Sequence, residues 1–302
     1  MTILIGCSGW SYDDWVGRFY PQALAKKKGQ WLAYYARYFP TVEINSTFYQ
    51  PPGELQISSW IKKGKECRSL EYSLKMPMLV THKSMVEKDA IQASQGAKAF
   101  EKSCILPLAK EELLGCVLLQ LSPYFQKSAA TLRVLETVLD ALSFQEHDYD
   151  YDYDCAVEFR HSSWWEPKTK LLDKEALQIL KERNVANVLV DGPGMPIGGP
   201  PSADHSYLRF HGRNRDIWYK KEKDEDDFRL NRYDYLYSEK EIEPWVVRIK
   251  EEELKAQKVR VYFNNHARSK SVRNAFQLMD MLALPHENKQ INLQNQFTLG
   301  SF

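Results

Sequence analysis

The chain has 302 residues, 43% hydrophobic and 27% charged, proportions of a globular protein that exclude wholesale disorder and allow a sizeable core. Lys plus Arg number 41 and Asp plus Glu 40, a formal net charge of +1. That balance argues against a protein bound to nucleic acid through bulk positive charge, though it leaves room for a local basic cleft.

In chain order, residues 1–7 (Met-Thr-Ile-Leu-Ile-Gly-Cys) show no basic segment followed by a long apolar one. No apolar run anywhere reaches the ~18 residues of a membrane span. The expectation is therefore a cytoplasmic protein without a membrane partner. Residues 3–8 form an apolar, β-branched strand. Residues 30–38 follow as a helix with Trp31, Tyr34, Tyr35 and Tyr38 on one face. Residues 41–46 read as the next strand and 54–65 as the next helix. Residues 71–76 form a third strand, ended by Pro77, and 93–112 are mostly helical with a break near Pro107. Residues 116–121 are a strand stopped by Ser122-Pro123, and 130–142 have helical spacing. Later strands fall at 154–159, 185–190, 206–210 and 258–263, and later helices at 171–183, 239–256 and 269–284.

Eight strand candidates, nearly all followed by a helix, imply a parallel sheet with helical crossovers. The reading is an α/β protein, a single (β/α)8 TIM barrel with irregular βα-loop insertions. It forms one domain over 1–302, with a core of about 3–285 and a short C-terminal tail. An open doubly wound sheet is the alternative, but no Gly-x-Gly-x-x-Gly follows the first strand. Two segments break the rhythm, the Asp-Tyr alternation at 148–154 and the charge run at 220–227; both read as solvated loops. Residues 192–201 hold four glycines and four prolines, leaving no room for a normal sixth helix. Five scattered cysteines without Cys-x-x-Cys read as reduced thiols.

Barrel chemistry lies at the C-terminal strand ends, so the residues delivered there matter most. Strand alternation sets Glu43 and Asn45 against Val42 and Ile44. It likewise sets Glu158 and Arg160 against Val157 and Phe159, Arg209 and His211 against Leu208 and Phe210, and Tyr262 and Asn264 against Val261 and Phe263. The apolar sets suit a helix layer and the polar sets the barrel interior. Lys75, Gln120 and Asp191 end the third, fourth and sixth strands, and His161 follows the fifth. Burying that many polar groups without a purpose is costly, which makes this mouth the candidate site.

The same residues carry a family resemblance. The stretches are Gly6-Cys7-Ser8-Gly9-Trp10-Ser11-Tyr12 with Trp15 and Phe19-Tyr20-Pro21, Val42-Glu43-Ile44-Asn45-Ser46-Thr47-Phe48-Tyr49, and Leu118-Leu119-Gln120-Leu121-Ser122-Pro123. Val157-Glu158-Phe159-Arg160-His161-Ser162-Ser163-Trp164, Tyr207-Leu208-Arg209-Phe210-His211-Gly212-Arg213 and Tyr262-Phe263-Asn264-Asn265-His266 with Asn274-Ala275 complete the set. From residue 3 to about 280 the chain resembles the YecE-like family, domain of unknown function 72. That resemblance implies a TIM barrel and no particular reaction. Cys7, Ser122 and the Asp-Tyr run depart from the family pattern.

Glu43, Glu158 and Asp191 are the acidic candidates, and His161 and His211 the bases or ligands. Converging carboxylates and imidazoles suit a divalent metal, so Glu43, Glu158, His161, Asp191 and His211 are the candidate set for one. No cofactor is otherwise indicated. Against a metal, Lys75, Arg160 and Arg209 share the mouth, and the alternative is an internal salt-bridge network. The cations favour an anionic substrate, since guanidinium grips phosphate or carboxylate by two bonds. Barrels often seat phosphate at the loops after strands seven and eight. Here those loops hold His211, Arg213 and Arg215, and Asn264, Asn265, His266 and Arg268 ahead of the last helix. Tyr49 and Trp164, close after strand ends, are the aromatic contacts expected for a sugar or base, while most other loop aromatics, Trp15 and Trp165 among them, pack the rim.

The expectation is a hydrolase-type enzyme acting on a phosphorylated or nucleotide-like substrate, a small anion or short nucleic acid. Glu158 would be its general base and His211 its general acid, with Glu43 and Asp191 beside them. Lys75, Arg160 and Arg209 would bind the anion, and Asn45, Tyr49, Gln120, His161, Trp164, Asn264 and Asn265 would complete the pocket. A carbohydrate-active barrel using Glu43 and Glu158 is one alternative. A non-catalytic nucleic-acid or metabolite-binding protein is the other.

Overall fold

The computed structural model describes residues 2–67, 70–145, 152–194, 199–218, 232–287 and 289–291. Its strands are β1 (Thr2–Ser8), β2 (Thr41–Ile44), β3 (Glu71–Lys75), β4 (Leu114–Gln120), β5 (Asp154–Glu158), β6 (Ala186–Asn187), β7 (Leu189–Asp191), β8 (His205–Phe210) and β9 (Lys258–Phe263). They form one sheet in the order β6-β5-β4-β3-β2-β1-β9-β8-β7, with every pairing parallel. β6 and β7 are two halves of the predicted sixth strand, separated by Val188. The first half bonds β5 and the second bonds β8, so the divided strand closes the ring. Eight strand positions thus make the α/β barrel.

Among the described residues, seven α-helices of five residues or more cover the outside: α1 (Trp31–Tyr35), α2 (Glu54–Glu66), α3 (Ala90–Phe100), α4 (Ala129–Leu139), α5 (Lys174–Glu182), α6 (Glu239–Glu253) and α7 (Lys270–Met281). Several are shorter than their hydrophobic period suggests. The predicted helix at 93–112 is α3, then a π-helical turn Glu101–Ile105, then Leu106–Ala109 around Pro107. Caps set the starts: Ser128 and Thr131 form a reciprocal box ahead of α4, and Asp173 accepts the amides of Glu175 and Ala176 ahead of α5. Between the described residues of β7 and β8 there is no helix, as the glycine and proline content implied. The charge run at 220–227, Tyr219, and most of the Asp-Tyr alternation lie outside the described residues.

Alternation sorts the core into two bodies. Val42, Ile44, Val157, Phe159, Leu208, Phe210, Val261 and Phe263 face the helices in the larger cluster. Cys116, Leu118, Ala156, Val188, Tyr207 and Tyr262 fill the barrel. Polar layers bracket that inner plug. At the N-terminal end of the strands, Arg260 donates to Glu71 (2.6 Å) and Asp154 (2.5 Å). In the middle, the Tyr262 hydroxyl meets Thr41 (2.5 Å) and Ser73 (2.8 Å). α1 is pinned to the β1–β2 seam through Tyr35, whose hydroxyl accepts the Cys7 amide and donates to the Thr41 carbonyl. Gly6 permits this seam, because a Cβ there would stand 2.1 Å from the Thr41 carbonyl oxygen. No helix among the described residues is long and apolar enough to cross a membrane.

Candidate functional site

The mouth is organised by Arg209, which β8 projects inward two residues after Tyr207. Its Nη2 donates to Glu43 (2.8 Å). Its Nη1 donates to Glu158 (2.5 Å) and to Gln120 Oε1 (2.8 Å). One guanidinium therefore spans β2, β4 and β5. Glu43 is fully buried and also accepts Ser8 Oγ and the Tyr207 hydroxyl, each at 2.7 Å. Glu158, equally buried, accepts Arg160 Nη1 at 2.7 Å and has His211 Nε2 at 3.5 Å. Asn264 Nδ2 lies 3.0 Å from His211 Nδ1. With that amide donating, Nε2 carries the imidazole proton and faces Glu158.

The charges follow from these contacts. Burial is the largest single influence and would raise both carboxyls, but Arg209 acting with the other partners outweighs it. Glu43 sits below the usual range, helped by Tyr207 and Ser8. Glu158 sits well below it, helped by His211 and Arg160. His211 is pushed down to about 4 by burial and by Arg209, so it is neutral at neutral pH. Two carboxylates thus face two guanidiniums, and both acids are anchors.

Lys75 is different. β3 ends on it, it is 8% exposed, and its Nζ lies 3.7 Å from the centroid of the Phe48 ring. Among the described residues Nζ has neither a hydrogen bond nor an ion pair. Burial first and Arg209 second bring its pKa to about 7, against the pull of Glu158 and Glu43. The turn that carries Phe48 (Ser46–Tyr49) is tied to the strand by Thr47 Oγ1, which donates to the Lys75 carbonyl at 2.6 Å. His82 packs edge-on against Phe48 at 4.8 Å and is itself pushed down to about 4, by burial and then by Lys75. Arg160 keeps guanidinium donors that make no hydrogen bond among the described residues.

Of the expected site residues, Glu43, Gln120, Glu158, Arg160, Arg209, His211 and Asn264 come together, with Lys75 beside them. Asn45 follows β2 directly, and its buried Oδ1 has no hydrogen-bond partner among the described residues. Tyr49 is 75% exposed on the rim. Four expectations need correction. Asp191 faces the helix layer, because Val188 and Val190 take the inward positions of its strand. There it is locked by Arg213 (2.6 and 2.9 Å), Tyr237 and Trp245. Asn265 commits its Nδ2 to the Tyr235 carbonyl and Asn274, and its buried Oδ1 has no hydrogen-bond partner among the described residues. Trp164 is completely buried, and its indole donates to the Phe125 carbonyl. His161 turns to Ser163 and caps the turn Ser162–Trp164.

The phosphate seat expected before the last helix is also filled by structure. Arg213 serves Asp191, and Arg268 pairs with Asp234 while its amide donates to Asp14. With Asp191 and His161 elsewhere, no group of three or more His, Cys, Asp or Glu side chains among the described residues is placed to hold a metal. Trp15 is a rim-packing residue, its indole bonded to the His266 carbonyl at 2.7 Å. Sequence reasoning missed Ser8, Tyr207 and Phe48 as site partners. Tyr207 shares the parity of Arg209, and that signal was available. Nothing in the sequence marked His82, which sits on a π-helical turn, Leu79–Ser84.

A family model described as Protein of unknown function DUF72 matches residues 4–297. UPF0759 protein YunF of Bacillus subtilis (strain 168) is 26% identical over 293 residues, 94% of this chain and 96% of that protein. The solved structure of a DUF72 family protein from Thermotoga maritima MSB8 superposes with a TM-score of 0.76 at 30% identity, over 94% of this chain and all of the other. A DUF72 family protein from Enterococcus faecalis V583 has a TM-score of 0.74 at 24% identity, over 96% of this chain and all of the other; at that identity the likeness concerns the fold alone.

Proposed function

Because the chain belongs to the DUF72 family, whose description assigns no activity, we propose a function from the site alone: an enzyme that binds a small anionic substrate at the C-terminal mouth of the barrel. The observation that carries this reading is the donor capacity left over once the charges of the mouth have paired. Glu43 and Glu158 balance the charges of Arg209 and Arg160 and occupy one edge of Arg160. What remains is the other edge of Arg160 and an amine on Lys75 that no carboxylate contacts. A phosphorylated or nucleotide-like compound matches that surplus. Arg160 is the substrate-facing cation with the Lys75 amine beside it, and Arg209 is the frame that positions both acids.

Hydrolysis with Glu158 as general base has the geometry against it. A carboxylate held well below its usual range by two guanidiniums and an imidazole is a weak base. The group that exchanges a proton near neutrality is Lys75. The carbohydrate reading weakens on the same ground. Glycoside cleavage needs one carboxyl protonated, and both are held ionised. The exposed rings of Tyr49 and Tyr124, in the loops after β2 and β4, favour a second reading in which a short single strand lies across the rim.

A melting screen with inorganic phosphate, glycerol 3-phosphate, nucleoside monophosphates, neutral sugars and short single strands tests this. A ligand at 100 times its dissociation constant stabilises by about 2.7 kcal/mol. Phosphorylated ligands are expected to raise the melting temperature, and Arg160→Ala to abolish the rise. A response to neutral sugars alone, or one undiminished in Arg160→Ala, would end the anion reading.

A further inference from the structure

We propose that Lys75 is a covalent catalyst: its Nζ attacks the carbonyl carbon of an aldehyde or ketone that carries a phosphate or carboxylate, and holds that substrate as a Schiff base. The proposal deepens the anion reading above and rests on it for the charged end of the substrate, which Arg160 would grip.

The geometry is that of a nucleophile. Lys75 closes a strand at the mouth, and its side chain is enclosed by Phe48 and faces the buried polar cluster. The charged groups around it are Glu43 from β2, Glu158 and Arg160 from β5 and its end, Arg209 from β8, and His82 from the turn after β3. Both glutamates are already held by arginines, so neither fixes the amine as an ammonium ion. Lysines desolvated beside other cations are the ones that form Schiff bases. With its pKa brought to about 7, about half of Lys75 is free amine at pH 7, against about one part in 2,500 for an ordinary lysine. A groove of about 450 Å³ shares Phe48 and His82 with this pocket and is walled by Pro77, Val80 and Phe100. It gives the carbon skeleton of such a compound an apolar bed.

The step balances without an oxidant or reductant. The neutral amine adds to the carbonyl carbon, forming C–N, while the C=O π pair moves to oxygen, which takes a proton. The nitrogen releases one proton, the hydroxyl takes up another and leaves as water, and a protonated imine remains. Its positive charge stands where the ammonium stood, over the Phe48 ring and near the two ionised glutamates.

The test uses the full chain at pH 7 with borohydride, which reduces an imine to a stable secondary amine. The probes are dihydroxyacetone phosphate, pyruvate and acetoacetate, with neutral glycolaldehyde as comparison, and peptide mass mapping locates the label. Selective labelling of Lys75 is expected, at least ~10-fold over exposed Lys62 in the same molecule. Labelling should rise with pH to a midpoint near 7 rather than near the ~10.4 of free lysine. Lys75→Arg, which keeps the charge, should lose the label. Comparing Lys75 with Lys62 in the unaltered chain serves equally if that variant fails to fold.

Labelling spread evenly over the lysines, or absent with every probe, overturns the proposal. If glycerol 3-phosphate, which has no carbonyl, still stabilises the protein in that case, the anion reading survives alone. Selective labelling of Lys75 by glycolaldehyde with no preference for the anionic carbonyls supports the Schiff base and overturns the anion reading instead.

Discussion

At the scale of single residues, the mouth shows how burial and pairing decide what an ionisable group can do. His211 is buried and held to about 4, which has a consequence for stability. An unfolded histidine takes a proton near pH 6.5, whereas folded His211 takes one only near 4. Between those values the unfolded chain binds more protons, so stability falls as pH falls, by up to about 1.4 kcal/mol per pH unit for this group. His82 and His266, each also lowered to about 4 by burial, act in the same direction. Below that window the carboxylates take over. Glu43 and Glu158 contribute stability that is present above the ordinary carboxyl pKa and is lost as pH falls through their depressed values. Denaturant titrations at pH 7.5, 6.5, 5.5 and 4.5 should show loss beginning near 6.5, with a shallower slope in His211→Gln. A flat profile from 6.5 to 4.5 would contradict the assignment. Much of this residue scale was legible, because period-two alternation placed Glu43, Glu158, Arg209, His211 and Asn264 inward. Asp191 is the exception to that rule: alternation sends Val188 and Val190 to the helices and Asp191 inward, whereas the two valines fill the barrel and Asp191 turns outward to Arg213, Tyr237 and Trp245. That Lys75 alone lacks a carboxylate was not legible, since it depends on which acids Arg209 captures across the barrel.

At the scale of elements, the order of strands and helices was readable and their ends were not. The period that marks residues 30–38 as helical is satisfied by packing four aromatics, yet only Trp31–Tyr35 is an α-helix. The division of the sixth strand at Val188 has no local signal, because it arises where pairing passes from β5 to β8. The seam between β1, β2 and α1 makes a sharper case. Gly6 leaves the gap into which the Thr41 carbonyl and the Tyr35 hydroxyl fit. Gly6→Ala should therefore destabilise by about 1–3 kcal/mol, as overpacking does. Gly29→Ala, which meets nothing within 4 Å, should stay within about 0.5 kcal/mol, the usual span for a surface change. Equal midpoints in urea for the two variants would show that the seam is not tight.

At the scale of the whole molecule, the two ends of the barrel carry separate networks. Arg260 with Glu71 and Asp154 closes the N-terminal end, and Arg209 with Glu43 and Glu158 organises the mouth. Breaking a buried pair from one side costs about 3–5 kcal/mol, so Arg260→Ala should lower the melting temperature by several degrees while leaving any phosphate-induced rise intact. Arg160→Ala should abolish that rise, whatever it costs in stability through its pair with Glu158, and calorimetric scans with and without ligand would separate the two. A loss of the ligand response in Arg260→Ala would mean that the ends are coupled. The bridge made by Arg209 also bears on how the chain reaches this state. Its partners lie 166, 51 and 89 residues away in sequence, so all three bonds require the ring to be complete. Such contacts are absent while early pairs of strands form and mature only as the last ones dock. The bridge is thus a latch: it slows the escape of the closed barrel and does little to hasten its assembly.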